Sequence, residues 1–112
     1  MSNLTVADVL EKAADLIEPD GAWTRMANAR NRRGYPTPAR SVDAACFCMA
    51  GAILRAGDGD YSAAGLVRTV LPKPQNPAHD WLVKWNDAPE RTQSEVVAKL
   101  REAASLARSA NA

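Results

Sequence analysis

From Val42 to Leu54 the chain reads VDAACFCMAGAIL, and Asp43 is its only charged residue. No other stretch constrains the fold as strongly, because a helix apolar on nearly every face has to be surrounded by other elements. Ser41 fits the N-cap of such a helix, Asp43 its first turn and Gly57 the position just past its end. The predicted helix therefore runs from Ser41 to about Ala56, with its alanines, Met49 and Gly51 favouring helix over strand. It contains Cys46 and Cys48, the only cysteines. Residues two apart on a helix project about 200° apart, so these thiols do not readily share one metal ion. Both read as buried core, free cysteine being among the most buried residue types. Gly51 costs a helix interior some stability, which signals close approach by a neighbouring element.

The rest of the chain supplies the surround. At 112 residues it makes one domain, residues 1–112, large enough to bury a core without disulfides. An apolar fraction of 46% that is rich in alanine, with only 5% aromatics, favours helices over a β-sandwich. No run approaches the ~18 apolar residues of a membrane helix, and the start MSNLTVADVLEKAADLIE shows no signal-peptide pattern. The expectation is a soluble, cytoplasmic protein that keeps its thiols reduced and has no membrane partner.

Val6, Val9, Leu10, Ala13, Leu16 and Ile17 form a helical stripe over about Thr5 to Glu18, with Thr5 and Asp8 as a capping box and EPDG as the stop. Tyr61 to Leu71 is a predicted third helix ended by Pro72, and about Ala78 to Trp85 a short fourth. The last helix, about Thr92 to Arg108, opens on the capping box TQSE. Between the first two helices lies AWTRMANARNRRGYPTPARS, where Pro36 and Pro38 exclude a continuing helix. Asn31 to Gly34 suits a turn, so Trp23 to Arg30 and Tyr35 to Thr37 either pair as a short irregular hairpin or form an ordered loop anchored by Trp23. The fold class is mainly α, or α+β if strands form: four to five helices in one domain, with an arginine-rich loop or short hairpin over 21–41.

Several motifs occur in a distinctive order: LIEPDGAWT, the arginine segment ending at Gly34, CFCMAGAI, WNDAPERT and a final amphipathic helix. This order resembles a family of bacterial and phage proteins classified as a domain of unknown function, number 6197. The family pattern looks like LI-x-P-x-G-W-x-T, then aromatic-Cys-x-x-Gly-Ala-Leu, then Trp-Asn-Asp followed by Thr. Phe47, Cys48, Gly51, Ala52 and Ile53 match the second motif, with Phe47 where the family more often carries Trp. Trp85, Asn86, Asp87 and Thr92 match the third. The resemblance spans nearly the whole chain and is weakest over 58–77. It implies a phage or mobile-element source and brings with it no activity, cofactor or catalytic residue.

A catalytic reading would recruit Cys48, His79 and one of Asp80 or Asp87 as nucleophile, base and orienter. It requires a reactive thiolate in an electropositive, partly exposed setting, whereas Cys48 lies in the most apolar run of the chain. A structural metal needs about four ligands, and two cysteines and one histidine fall short. GDG at Gly57 to Gly59 lacks any phosphate-loop context. No catalytic residue, metal or cofactor is expected. Trp81, Trp85, Asn86 and Asp87 either line a small-molecule pocket or dock the short helix on the core while Asn86 and Asp87 bond the turning backbone.

Charge gives the remaining signal. Arg25, Arg30, Arg32, Arg33 and Arg40 fall between Gly21 and Val42 with no Asp or Glu among them, and the remaining nine basic residues face 13 acidic ones, a net of −4. Guanidinium groups give bidentate contacts to carboxylate or phosphate, and Tyr35 beside them suits stacking on a base. The bland alternative is a solvated loop that pairs with the acidic remainder of the chain. The expected function is a small non-enzymatic binding or regulatory protein that meets an acidic protein partner through Arg25, Arg30, Arg32, Arg33 and Tyr35. Nucleic-acid binding through the same loop is the alternative, although a pI near 7.8 is low for a duplex binder. A pocket near Trp81 and Trp85 is third. Arg30, Arg32 and Arg33 are expected to project outward.

Overall fold

The computed structural model describes residues 4–75 and 81–110. The first stripe forms helix α1, Val6–Ile17, closed at its start by the capping box: Asp8 N donates to Thr5 Oγ1 at 3.1 Å and Thr5 N to Asp8 Oδ2 at 3.2 Å. The last helix, Gln93–Ala110 (α5 in chain order), begins with the second capping box, Thr92 N donating to Glu95 Oε1 at 2.9 Å. These two helices lie antiparallel. Gln93 Nε2 donates to Ile17 O at 2.6 Å and Pro19 O at 2.7 Å, satisfying carbonyls that the end of α1 leaves open. At the other end, Arg108 reaches Glu11 at 2.6 Å. Leu10, Ala13, Ala14 and Ile17 of α1 and Val96, Leu100, Ala103 and Ala104 of α5 all belong to the buried core. Alanines at the seam let the backbones approach closely.

Arg101 fastens the rim of this seam, reaching Glu11 at 2.7 Å and Asp15 and Glu18 at 3.0 Å each. Hydrogen bonds from Arg108 and Arg101 hold the Glu11 carboxyl below the usual glutamate range. A carboxyl with a depressed folded pKa stabilises the fold above its unfolded pKa and loses that contribution as pH falls through the folded value. Stability is therefore expected to drop on acidification below the usual glutamate range. Glu11→Gln should flatten that part of a profile of denaturation midpoint against pH, at a cost of under about 1 kcal/mol at neutral pH because the pairs are partly exposed. An identical profile for the variant would dismiss the pairing as energetically idle.

The central run folds differently from the prediction. Helix α2 spans Met49–Ala56 with Cys48 as its N-cap, seven residues later than the predicted Ser41 cap. Cys46–Phe47 is instead a strand, β3, beside β1 (Ala29–Arg30), which in turn pairs with β2 (Pro36–Thr37). The order is β2-β1-β3, antiparallel throughout, with Ala29 opposite Thr37 and Phe47, and Arg30 opposite Pro36 and Cys46. Trp23 bridges the outer side of β3, where Phe47 N donates to Ala22 O and Thr24 N to Phe47 O. Strand bonds on both sides of Phe47 satisfy backbone groups that a helix would otherwise pair, and they outweigh the helical propensity of the alanines. Ser41 makes a local turn, with Asp43 N on its Oγ at 3.1 Å. Val42, which lies within the span of the predicted helix, is exposed.

The central role of the run survives in its second half: Met49, Ala50, Gly51, Ala52, Ile53 and Ala56 are buried, and α2 packs on α1 and on α4, Trp81–Asp87. Helix α3, Ala64–Val70, is shorter than the predicted Tyr61 to Leu71 and packs on α5 and α4. Gly51 meets its expectation directly. A Cβ built there would stand 1.8 Å from Asn28 O, the carbonyl that also accepts from Cys48 N at 3.1 Å.

Candidate functional site

The arginine segment builds its own turn. Asn31 Oδ1 accepts from Arg33 N at 2.9 Å and Tyr35 N at 3.1 Å, Gly34 N donates to Asn31 O, and Gly34 takes φ +86°, which an L side chain rarely adopts. Arg30 lies beneath this turn. Its Nε donates to Thr24 Oγ1 at 2.9 Å, Nη1 to Gly34 O at 3.0 Å and Nη2 to Arg25 O at 3.0 Å. Arg25 stacks on the Trp23 ring at 4.6 Å and donates from Nη2 to Arg91 O and Pro89 O. The expectation of an outward-facing Arg30 is thus corrected. Arg25 and Arg30 brace the segment by filling carbonyl acceptors that would otherwise lose water for nothing.

Arg32, Arg33 and Tyr35 do face outward, with Tyr35 63% exposed. Together with Asn31 they form one wall of a groove of about 760 Å³, and residues 42–45 form the other. The second wall was not anticipated, because Ser41 and Asp43 read equally well as a helix N-cap and as the short turn they make. It is held from below: Arg55 Nη1 donates to Ser41 O at 2.7 Å and Ala39 O at 3.1 Å, and Arg40 pairs with Asp58 at 2.8 Å. Ala45 N, donating to Arg30 O at 2.8 Å, ties the two walls together.

Of the four residues of the alternative pocket, Asp87 borders the recess described below. Asn86 is fully buried at a junction of three segments. Its Oδ1 accepts from Trp23 Nε1 at 2.7 Å and from Met49 N at 3.0 Å, and its Nδ2 donates to Thr24 O at 3.2 Å and Asp87 Oδ1 at 3.0 Å. Asp87 Oδ1 also accepts from Met26 N at 3.0 Å, holding that residue at φ 67°. Trp85 carries the Arg91 guanidinium 3.9 Å from its ring centroid, and Trp81 is half-buried. Asn86 and Asp87 thus bond the backbone of Thr24 and Met26 and the start of α2.

Cys48, Met26 and Asp87 border a separate recess of about 410 Å³. Burial pushes the Cys48 thiol up, the Asp87 carboxylate adds to that, and the N–H groups of Gly51 and Ala50 offset it in part. Cys48 therefore stays a protonated thiol, with Gly51 N donating to its sulfur at 3.3 Å. His79 and Asp80, the other members of the recruited triad, lie outside the described residues. Among the described residues no group of three or more His, Cys, Asp or Glu is placed to hold a metal ion. Cys46 is half-buried rather than buried, a consequence of its strand position. In the native protein Cys46 is expected to react with a thiol reagent about tenfold or more faster than Cys48, and both rapidly in denaturant. Cys46→Ser should leave only the slow phase. Fast labelling of Cys48 in that variant would contradict its burial.

No curated protein and no solved structure matches the chain. A family model does, over residues 1–106, under the description "Family of unknown function (DUF6197)". The matched span takes in the braced arginine turn, the Asn86 junction and nearly all of the α1–α5 seam, and on it the chain belongs to the family DUF6197.

Proposed function

We propose that this is a non-enzymatic binding or regulatory protein that engages an acidic protein partner through the Arg32–Arg33 turn. One observation carries the reading. Among the described residues every arginine side chain has a hydrogen bond, ion pair or aromatic contact except those of Arg32 and Arg33, which stand side by side at the tip of a braced turn. Two adjacent guanidinium groups without a counter-charge repel each other, and a carboxylate partner relieves that repulsion while gaining bidentate bonds. Protein is favoured over nucleic acid because only two arginines are free and Asp43 stands on the opposite wall. So small a cationic patch releases few counterions from a phosphate backbone. The reading includes an intracellular setting, supported by two unpaired cysteines and by a described chain with no helix long and apolar enough to cross a membrane. Phage or mobile-element origin rests on the family resemblance.

The test is capture of partners from host lysate by the wild-type chain beside the Arg32→Ala/Arg33→Ala variant. The variant is expected to keep its stability within about 1 kcal/mol, as exposed substitutions do. It should lose its acidic partner by about tenfold per arginine, and wild-type binding should weaken as salt rises. Partner retention by a folded variant would sink the proposal. Loss of the captured material on nuclease treatment would favour the nucleic-acid alternative.

A further inference from the structure

Val42 is 94% exposed, the most exposed of the large apolar side chains among the described residues. A single valine in water is unremarkable on its own, but this one stands on the groove wall opposite Arg32 and Arg33. The backbone on either side of it is tied down by hydrogen bonds. Arg55 holds the carbonyls of Ala39 and Ser41, Ser41 Oγ accepts from Asp43 N, and Ala44 N donates to Ser41 O at 3.2 Å. Rigid presentation of an apolar group lowers the ordering cost of anything that covers it.

Resting on the reading of Arg32 and Arg33 given above, we propose that the groove recognises a short acidic peptide segment that also carries a large apolar side chain. The segment's carboxylates meet Arg32 and Arg33, and its apolar side chain covers Val42 beside Ala44. Charge complementarity fixes the orientation. The Asp43 carboxylate repels negative charge on the Val42 wall, so the carboxylates of the segment are confined to the arginine wall and an uninterrupted polyanion is disfavoured. Tyr35 adds an amphipathic ring on the arginine side, able to pack against the segment and keep its hydroxyl in water. A volume of about 760 Å³ lies within the range of sites that hold several side chains.

The test is selection of a random dodecapeptide display library on the immobilised full chain, followed by titration of the leading synthetic peptide. Enriched peptides are expected to combine two or more Asp or Glu with a Leu, Ile, Phe, Met or Trp. Val42→Ser should weaken the leading peptide by about tenfold with its melting temperature unchanged, and Arg32→Ala/Arg33→Ala by about a hundredfold. Acidic peptides with no apolar requirement, indifferent to Val42→Ser yet lost by the arginine variant, would overturn this inference and leave the Arg32–Arg33 reading standing. Peptides that bind the arginine variant as well as the wild type would overturn both. Failure to enrich any peptide, or tighter binding of a short single-stranded oligonucleotide than of the leading peptide, would overturn the peptide assignment.

Discussion

Asn86→Leu is expected to destabilise the protein by about 3–5 kcal/mol, a large share of the roughly 5–15 kcal/mol that holds a domain of this size together. Leucine keeps the branched shape but is larger, so some overpacking adds to the loss of the polar contacts. The Trp23 indole N–H, the Met49 N–H at the first turn of α2 and Thr24 O would all lose their partner at once. A buried donor left unsatisfied costs about 1–3 kcal/mol. Asn86→Asp separates the contributions further: it keeps an acceptor for the two donors but sets a second carboxylate against Asp87 and removes the donor to Thr24 O. Its destabilisation should therefore ease on acidification. Denaturant titration reads both variants, and a loss under about 1 kcal/mol for Asn86→Leu would show that water replaces the side chain.

Gly51→Ala is the second large effect, and its sign opposes helix propensity. Alanine is favoured over glycine inside a helix by about 0.8–1 kcal/mol. Here the new methyl group would overlap Asn28 O, a backbone atom one residue before β1 that also accepts from Cys48 N. It cannot swing aside as a side chain would, so α2 and the sheet must separate. Overpacking of this kind costs about 1–3 kcal/mol and sometimes more, and about 3 kcal/mol net is expected from thermal or denaturant unfolding. Gly65→Ala in α3 is the control, since a Cβ there meets nothing within 4 Å. It should be neutral or slightly stabilising. Equal behaviour of the two variants would refute the close approach.

What could be read from sequence divides by the range over which the deciding contact acts. Helices α1 and α5 were legible because each carries both its apolar stripe and its cap within a few residues. The Asn31–Gly34 turn was legible for the same reason. The start of α2 was not: the bonds that make Cys46–Phe47 a strand come from Ala22, Thr24 and Arg30, and nothing local in an alanine-rich run announces them. Nor could the five arginines be sorted by eye. Arg25 turns inward toward carbonyls 64 and 66 positions away, and Arg30 toward Thr24 and Gly34 within a loop of no regular period. WND was recognisable as a motif, but Asn86 reaches Trp23 across 63 positions, so its place at the junction had no local sign.

The pairing of the first helix with the last has a kinetic meaning as well as a structural one. Gln93 and Ile17 meet across 76 positions, so forming that seam closes a loop of most of the chain, at an entropic cost of roughly 4 kcal/mol before any contact repays it. The sheet and the start of α2 need far shorter closures, about 20 positions between Asn28 and Cys48. Topology therefore orders assembly, local pairs first and the seam late. Contacts formed late act mainly on the rate of unfolding. The α1–α5 seam is accordingly a latch on the native state, controlling its lifetime, while the arginine groove belongs to the part of the chain that organises before the latch closes.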